Sequence, residues 1–142
     1  MGQPCYPLDT LPQQYDVVWC LYPESGLTPG PIARPSLVLD VRINEKEQIG
    51  AVICTYGTGE FDDSHAKGDL IIPNGEFKSL GLHKPTRFAL SLNSRMQLVW
   101  GPRYFVAPTY LRAMNIRIGS LTDEQIARAI ACLNHRGLKP YA

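Results

Sequence analysis

The segment that most constrains the fold of this chain is a proline-rich loop that leads through one arginine into an alternating strand. Residues 29–39 read PGPIARPSLVL. Proline fixes φ and removes a backbone donor, so Pro29 and Pro31 stiffen the loop, and Pro35 favours an extended conformation for Arg34. After Pro35, two sets of residues alternate: Leu37, Leu39, Val41 and Ile43 with Val38, Asp40, Arg42 and Asn44. This period of two predicts a half-buried strand over residues 34–43.

Further segments predict strands around this one. Residues 15–22 (YDVVWCLY) are apolar on both faces and rich in β-branched and aromatic side chains, which is typical of a central strand. After a polar turn at residues 44–46, the sequence QIGAVICTY predicts the returning antiparallel strand over residues 48–56. Residues 57–68 predict an exposed loop. Residues 69–72 predict a short strand before a Pro-Asn-Gly turn, and residues 87–92 and 96–100 predict a hairpin joined at Asn93 and Ser94.

A C-terminal helix has the clearest boundary signals. Thr122 and Gln125 have the spacing of a capping box, Leu121 can pack on Ile126, and Gly137 supplies a stop signal. Residues 103–120 are ambiguous, and a short helix at residues 109–114 is one interpretation. Together these elements predict a mainly β fold, a small barrel of SH3-like size with a C-terminal helix. Residues 1–14 form an N-terminal arm in this interpretation, and residues 15–142 form a single domain.

Composition excludes several classes of protein. A chain of 142 residues can bury a core without metals or crosslinks. No apolar run approaches the roughly 20 residues needed to cross a bilayer. The N-terminus lacks the basic start and apolar block of a signal peptide, so we expect a cytoplasmic protein without membrane association. The wide spacing of the cysteines predicts reduced, mostly buried thiols rather than zinc ligands or disulfides.

The small net charge of +1 hides an asymmetry along the chain. Residues 1–83 contain five Lys/Arg and eleven Asp/Glu, whereas residues 84–142 contain nine Lys/Arg and two Asp/Glu. Such an asymmetry is compatible with a nucleic-acid surface. It is equally compatible with two halves of one barrel that neutralise each other.

Thr58 is the candidate partner of Arg34. It ends the third predicted strand between Gly57 and Gly59, which leave the backbone open to a ligand. Antiparallel strands joined by a short turn place the start of one beside the end of the next, so Arg34 and Thr58 should share one sheet edge. A guanidinium forks onto phosphate, and a hydroxyl can donate to a phosphate oxygen. Taken singly, each residue also fits a plainer interpretation, a surface arginine or a strand end before a glycine turn.

The sequence SLGLHKPTR at residues 79–87 is the third candidate segment. A histidine titrates near neutrality, so His83 is a candidate acid or base. Lys84 and Arg87 are candidate phosphate contacts, and a solvated loop is the alternative. Asp62 and Asp63 are adjacent and point in different directions in an extended chain, so we expect neither a metal nor another cofactor.

The order of these motifs resembles the PemK/MazF family of type II toxin–antitoxin toxins. The series is DVVW at residues 16–19, PGPIARPSLV at 29–38, YGT at 56–58, LGLHKPTRF at 80–88, and a glycine at 119 before the terminal helix. The resemblance covers roughly residues 15–135. It implies an SH3-like barrel of the PemK/MazF/CcdB type, a homodimer, and a cognate antitoxin as partner.

The same resemblance implies a metal-independent, sequence-specific endoribonuclease that acts on single-stranded mRNA. Arg34 and Thr58 would then be catalytic, and attack of a ribose 2′-hydroxyl on the adjacent phosphate would give a 2′,3′-cyclic phosphate. The candidate RNA contacts are Tyr56, Lys84, Thr86 and Arg87, with His83 as the candidate acid or base.

Two features depart from the family pattern. Gly59 stands where this branch usually has serine, which removes a phosphate donor, and the loop over residues 57–68 is acidic. These departures leave open a non-catalytic SH3-like module that binds a partner peptide. A duplex-DNA-binding regulator that uses the basic C-terminal half is a further alternative, although the sequence contains no helix-turn-helix or basic-zipper pattern.

Overall fold

A computed structural model of the protein describes residues 4–108 and 115–141. Within these residues, seven strands form one curled, antiparallel sheet in the order β4-β5-β3-β2-β1-β7, and β6 also pairs with β3. The strands are β1 (Asp16–Cys20), β2 (Arg34–Asn44), β3 (Ile49–Thr58), β4 (Leu70–Ile72), β5 (Thr86–Phe88), β6 (Arg95–Val99) and β7 (Arg117–Ser120). The helices are α1 (Phe77–Leu80) and α2 (Asp123–His135). The predicted fold class, mainly β with a C-terminal helix, is confirmed.

The sheet carries an apolar cluster on each face. The cluster beneath α2 includes Val17 of β1 and Leu133 of the helix. The cluster on the other face includes Val18 and Trp100, and Tyr6 of the N-terminal arm packs against it. The Tyr6 hydroxyl donates to the Phe105 carbonyl at 2.7 Å, which fixes the arm. All five residues of β1 are buried, so the prediction of a central strand is confirmed.

The prediction that β2 is buried on a single face is wrong. Leu37 and Leu39 belong to the cluster beneath α2, whereas Val38 is buried in the opposite cluster. A β-bulge follows Val38 and shifts the register against β3 by one residue. Val41 therefore packs against the cluster opposite to that of Leu37, and Ile43 is 53% exposed. A strict period of two contains no sign of the bulge.

The predicted hairpin of residues 87–92 with residues 96–100 is also wrong. Both segments pair with β3 instead, β5 at Gly57 and Thr58 and β6 further back along the strand. Between them the Thr55 hydroxyl donates to the Ala89 carbonyl at 2.6 Å, and its oxygen lies 3.0 Å from the Ser94 hydroxyl oxygen, within hydrogen-bonding distance. These buried hydrogen bonds hold the connection against β3, and the turn signal in the sequence does not encode them.

Other differences concern short elements. The predicted loop at residues 57–68 contains the last two residues of β3 and a 3-10 turn at Asp63–Lys67, where Asp62 acts as the cap. Helix α1 and strand β7, which pairs with β1, were not predicted. The helix suggested at residues 109–114 lies outside the described residues. Helix α2 confirms its prediction, because Thr122 and Gln125 form the reciprocal capping box.

Cys20, Cys54 and Cys132 are buried thiols, in agreement with the prediction from the cysteine spacing. Burial, with a contribution from the nearby Asp69 carboxylate, raises the pKa of Cys132 and keeps this thiol protonated at neutral pH. Within the described part of the chain, no helix has both the length and the apolar character needed to cross a membrane.

Opposite charges from the two halves of the chain meet inside the fold. Among the described residues, four ion pairs join an acid before residue 84 to an arginine after it: Asp16–Arg117, Glu76–Arg128, Asp69–Arg87 and Asp69–Arg136. The asymmetry of charge along the sequence therefore serves, at least at these positions, to join the halves to each other.

Asp69 is the most buried of these acids. Its side chain is 4% exposed and accepts hydrogen bonds from Arg87 and Arg136 at 2.7 Å each, and from the Leu90 backbone N–H at 2.9 Å. Burial alone would raise the pKa of Asp69, but these three donors outweigh it and the pKa is lowered. The carboxylate ties β5 and the end of α2 to the start of β4.

We expect Asp69→Asn to lower the free energy of unfolding by about 3 kcal/mol at neutral pH, because it leaves two arginines facing a neutral amide. The folded-state pKa of Asp69 lies below its unfolded value of about 3.9. The carboxylate therefore contributes stability above about pH 4, and this contribution is lost as the pH falls further. Urea unfolding of both proteins at neutral pH and below pH 4 measures the difference.

The control is Asp63→Asn, which changes the same functional group at an exposed position. Its unfolding curve should follow that of the wild type at both pH values. A destabilisation by Asp69→Asn that stays constant from neutral to acidic pH would contradict the role assigned to this carboxylate.

Candidate functional site at the ends of strands β2 and β3

The structure brings Arg34 and Thr58 to the same end of the sheet. Ser36 of β2 stands opposite Tyr56 of β3, and the same register continued by two residues sets Arg34 opposite Thr58. The strands stay adjacent here, since a Cβ built on Gly57 would lie 2.9 Å from the carbonyl oxygen of Pro35. Directly opposed residues of an antiparallel pair project to one face. Arg34 and Thr58 therefore project to the same face at this end of the sheet, and both line the clefts described next.

Two clefts meet at this pair. Both are lined by Arg34, Thr58, Gly59 and Lys84. The first, here called the apolar cleft, has a volume of about 360 Å³, and its other walls include Trp19, Ile32, Ala33, Gly57, Leu82 and His83. The second, here called the polar cleft, has a volume of about 570 Å³, and its other walls are Tyr22, Pro23, Glu24, Tyr56, Glu60 and Arg87. Both volumes fall in the range of small-molecule sites.

The Thr58 hydroxyl is oriented for donation to a ligand. Its oxygen accepts a hydrogen bond from the Glu60 backbone N–H at 3.1 Å. A hydroxyl that accepts in this way keeps its own hydrogen for another partner. Since Thr58 is half-buried at the junction of the two clefts, that hydrogen can reach an anion placed beside Arg34.

Arg34 is held by one acidic neighbour. Its Nη2 lies 3.5 Å from Oε1 of Glu24, and the two side chains are 41% and 58% exposed. Such an exposed ion pair contributes on the order of 0–1 kcal/mol to stability, so an incoming anion can displace it. Glu24 is a candidate site residue that the sequence analysis missed, because the loop before Arg34 carries no pattern that fixes where this carboxylate lies.

The basic segment at residues 79–87 divides into exposed and engaged residues. His83 and Lys84 are exposed on the rim of the apolar cleft, and the His83 ring lies 6.2 Å from that of Trp19, centroid to centroid. Thr86 is 3% exposed, and its hydroxyl donates to the Lys84 carbonyl at 2.9 Å. Arg87 is bound to Asp69 and is 16% exposed. Of the four candidate site residues in this segment, His83 and Lys84 are therefore exposed, whereas Thr86 and Arg87 are not.

Tyr56 forms part of the wall of the polar cleft. Its ring packs edge-on against that of Tyr22, with centroids 5.5 Å apart. Burial, with smaller contributions from neighbouring groups, raises the pKa of Tyr22, and its hydroxyl donates to the Ser94 carbonyl. Tyr22 thus supports this wall, and the half-buried Tyr56 side chain lines the cleft.

A larger cavity of about 680 Å³ lies elsewhere, between the N-terminal arm and strands β1 and β7. Its charged residues, Asp16 and Arg117, already pair with each other at 3.4 Å. Asn115 on its rim adjoins residues 109–114, which lie outside the described part of the chain. The convergence of a cation with a hydroxyl makes the end of β2 and β3 the stronger candidate site.

The described residues contain no cluster of three or more His, Cys, Asp or Glu side chains arranged to hold a metal ion. The lining of the apolar cleft offers a guanidinium, a hydroxyl, an ammonium and an imidazole. This set suits the binding of a phosphate group and the stabilisation of charge on it.

Comparison of the chain with models of protein families and with curated proteins gives no match. The functional assignment therefore depends on the chemistry of this site and on the order of the sequence motifs.

We expect Glu24→Gln to strengthen the binding of inorganic phosphate by about two- to fivefold, because it removes the carboxylate that competes for Arg34. The free energy of unfolding should change by no more than about 0.5 kcal/mol, since the ion pair is exposed. An NMR titration with phosphate, followed on the amides of residues 34 and 58, measures the affinity.

Glu47→Gln is the matched control, because it removes one negative charge from an exposed turn at the far end of β2 and β3. It should leave the phosphate affinity close to that of the wild type. Equal affinities for the wild type and Glu24→Gln would mean that Glu24 does not restrain Arg34.

Proposed function

We propose that this protein is a ribonuclease toxin of a toxin–antitoxin pair, which cleaves single-stranded RNA without a metal ion. The observation that carries the proposal is the opposition of Arg34 and Thr58 where the two clefts meet. A cation and a hydroxyl donor on one face can hold one phosphodiester group. The two clefts then accommodate the nucleotides on either side of that phosphate.

In the proposed reaction the ribose 2′-oxygen attacks phosphorus and the bond from phosphorus to the 5′-oxygen breaks. The products are a 2′,3′-cyclic phosphate and a free 5′-hydroxyl. Arg34 stabilises the charge on the pentacoordinate intermediate, and the Thr58 hydroxyl donates to a phosphoryl oxygen. His83, exposed beside the same phosphate position, takes the proton from the 2′-hydroxyl, and the departing 5′-oxygen takes up a proton from water.

The remaining predicted contacts have different roles in this proposal. Lys84 reaches the phosphate, and Tyr56 in the wall of the polar cleft offers a ring for base stacking, a common means of holding single-stranded RNA. Thr86 and Arg87 act through the positions they hold, because the Thr86 hydroxyl donates to the Lys84 carbonyl and the Arg87 guanidinium pairs with Asp69.

A cognate antitoxin, a homodimer and a cytoplasmic location belong to the same proposal. The loop before Arg34 carries two large apolar side chains on its surface, Leu27 at 63% and Ile32 at 52% exposure. Ile32 also lines the apolar cleft, so a protein bound to this loop would cover the entrance to the site. An inhibitor that acts by occlusion fits this arrangement.

The non-catalytic interaction module remains the second candidate function. The Glu24 carboxylate at 3.5 Å from Arg34 favours it, since a site already neutralised in part can bind a peptide instead of RNA. Incubation of the wild-type chain with single-stranded RNAs of varied sequence in EDTA separates the two. Cleavage that persists in EDTA supports the nuclease, and its absence across all sequences supports the module.

We expect Arg34→Ala and Thr58→Ala each to lower the rate of RNA cleavage by about 10²–10³, because each removes a donor to the phosphoryl group. Both side chains are partly exposed, so the melting temperature should change little. Cleavage is measured in EDTA under single-turnover conditions, and analysis of the 3′ product identifies the cyclic phosphate.

Arg42→Ala is the matched control, since Arg42 lies near the opposite end of the same strand and is 54% exposed. It should cleave RNA at the wild-type rate. In cells whose growth is stopped by expression of the wild type, Arg34→Ala should restore growth and Arg42→Ala should not. Equal toxicity of Arg34→Ala and the wild type would refute the nuclease proposal.

A further inference from the structure

The side chain of Lys84 lies directly over the backbone of Gly59. A Cβ built on Gly59 would come within 2.6 Å of Cε, 2.8 Å of Nζ and 3.1 Å of Cδ of this lysine. Real Cβ atoms essentially never show contacts as short as the first two of these distances. The absence of a side chain at residue 59 is therefore what admits the end of the lysine side chain at this position.

The backbone of Lys84 is restrained as well. Its carbonyl accepts a hydrogen bond from the Thr86 hydroxyl at 2.9 Å, and Pro85 directly follows it. Proline restricts the residue before it to extended conformations. The same arrangement occurs at Arg34, which Pro35 follows. Two residues whose cations line the same pair of clefts thus each have a backbone restricted by a succeeding proline.

The Lys84 ammonium has no ion pair or hydrogen-bonding partner within the described residues, whereas Arg87 is bound to Asp69 and Arg34 is paired with Glu24. It lies on the rim of both clefts together with Arg34 and Thr58. An ammonium offers three donors and is a common phosphate ligand. An anionic group at the junction of the two clefts would give the Lys84 ammonium a hydrogen-bonding partner.

We propose that Gly59 and Lys84 form one functional unit, in which the open volume at Gly59 lets the lysine ammonium reach the phosphate that Arg34 and Thr58 bind. Lys84 contacts the substrate, and Gly59 is a positioning residue. The inference builds on the proposed ribonuclease function and names the third donor to its phosphate.

The test is a double-mutant cycle on RNA cleavage in EDTA. Lys84→Met keeps the length of the side chain and removes the charge, and it should lower kcat/KM by about 10- to 100-fold. Gly59→Ala should lower kcat/KM to a similar extent, because its Cβ displaces the ammonium. The double variant should be no worse than Lys84→Met alone, since the alanine then has no charge to displace.

A binding measurement makes the test independent of cleavage. The probe is a short single-stranded 2′-O-methyl RNA of mixed sequence, which cannot form the cyclic phosphate. Loss of one phosphate contact should reduce the slope of log K against log salt by about 0.7 for both Lys84→Met and Gly59→Ala. A purely structural effect of either change would not alter this slope by the same amount in both variants.

The controls are Gly75→Ala, where a Cβ meets nothing within 4 Å, and Lys78→Met on the exposed side of α1. Both should match the wild type in cleavage and salt slope. Gly59→Ala should retain its melting temperature, because the displaced atoms are the far end of a flexible side chain.

The outcomes separate the two proposals. If the wild type cleaves RNA and both Lys84→Met and Gly59→Ala keep the wild-type kcat/KM and the wild-type slope of log K against log salt, the proposed Gly59–Lys84 unit is wrong. The nuclease proposal is not affected by that result. If the wild type binds the probe with a salt slope that depends on Gly59 and Lys84, but cleaves no RNA, the result supports the Gly59–Lys84 unit and rejects the nuclease proposal. Additive losses in the double variant, or a wild type that does not bind the probe, overturn the unit.

Discussion

The pairing of β2 with β3 is the constraint on which the candidate site depends. Its register sets Arg34 opposite Thr58, and Gly57 lets the strands approach because a Cβ there would meet the Pro35 carbonyl. The bulge after Val38 changes the register farther along the strands and leaves this end unaffected. Both faces of the paired strands are covered by apolar clusters, so slippage by one residue would expose core side chains. The same packing that sets the register of the core therefore also sets the backbone positions of Arg34 and Thr58.

The buried carboxylate of Asp69 links this pairing to the rest of the molecule. It binds Arg87 of β5, which stands opposite Thr58 in the neighbouring pair, and Arg136 after α2. Arg87 is a candidate phosphate contact in the sequence, but in the structure its guanidinium pairs with the buried Asp69 carboxylate. Charge pairing across the two halves of the chain also engages part of their opposite charge. Acidic and basic segments do not by themselves reveal which cations stay available to a ligand.

Availability of charge is what distinguishes the three cations near the site. Arg87 is enclosed, Arg34 is restrained by the exposed carboxylate of Glu24, and Lys84 lies unpaired over Gly59 within the described residues. The glycine at residue 59 has a physical consequence, since it leaves open the volume that the end of the lysine side chain occupies. The proposed nuclease thus depends on cations that differ in how strongly each is already paired with a carboxylate. It also depends on the Thr58 hydroxyl, whose hydrogen is available to a ligand.

The sequence by itself determined the order of the main strands, the capped terminal helix and the nearness of Arg34 to Thr58. These features follow from local rules, namely alternation, capping residues and the geometry of a short antiparallel turn. Only the tertiary structure decided the bulge at Val38, the pairing of β5 and β6 with β3, and the partners of Arg87, Glu24 and Lys84. Each of these depends on contacts between residues far apart in the chain, and a local pattern carries no information about which distant group will be there.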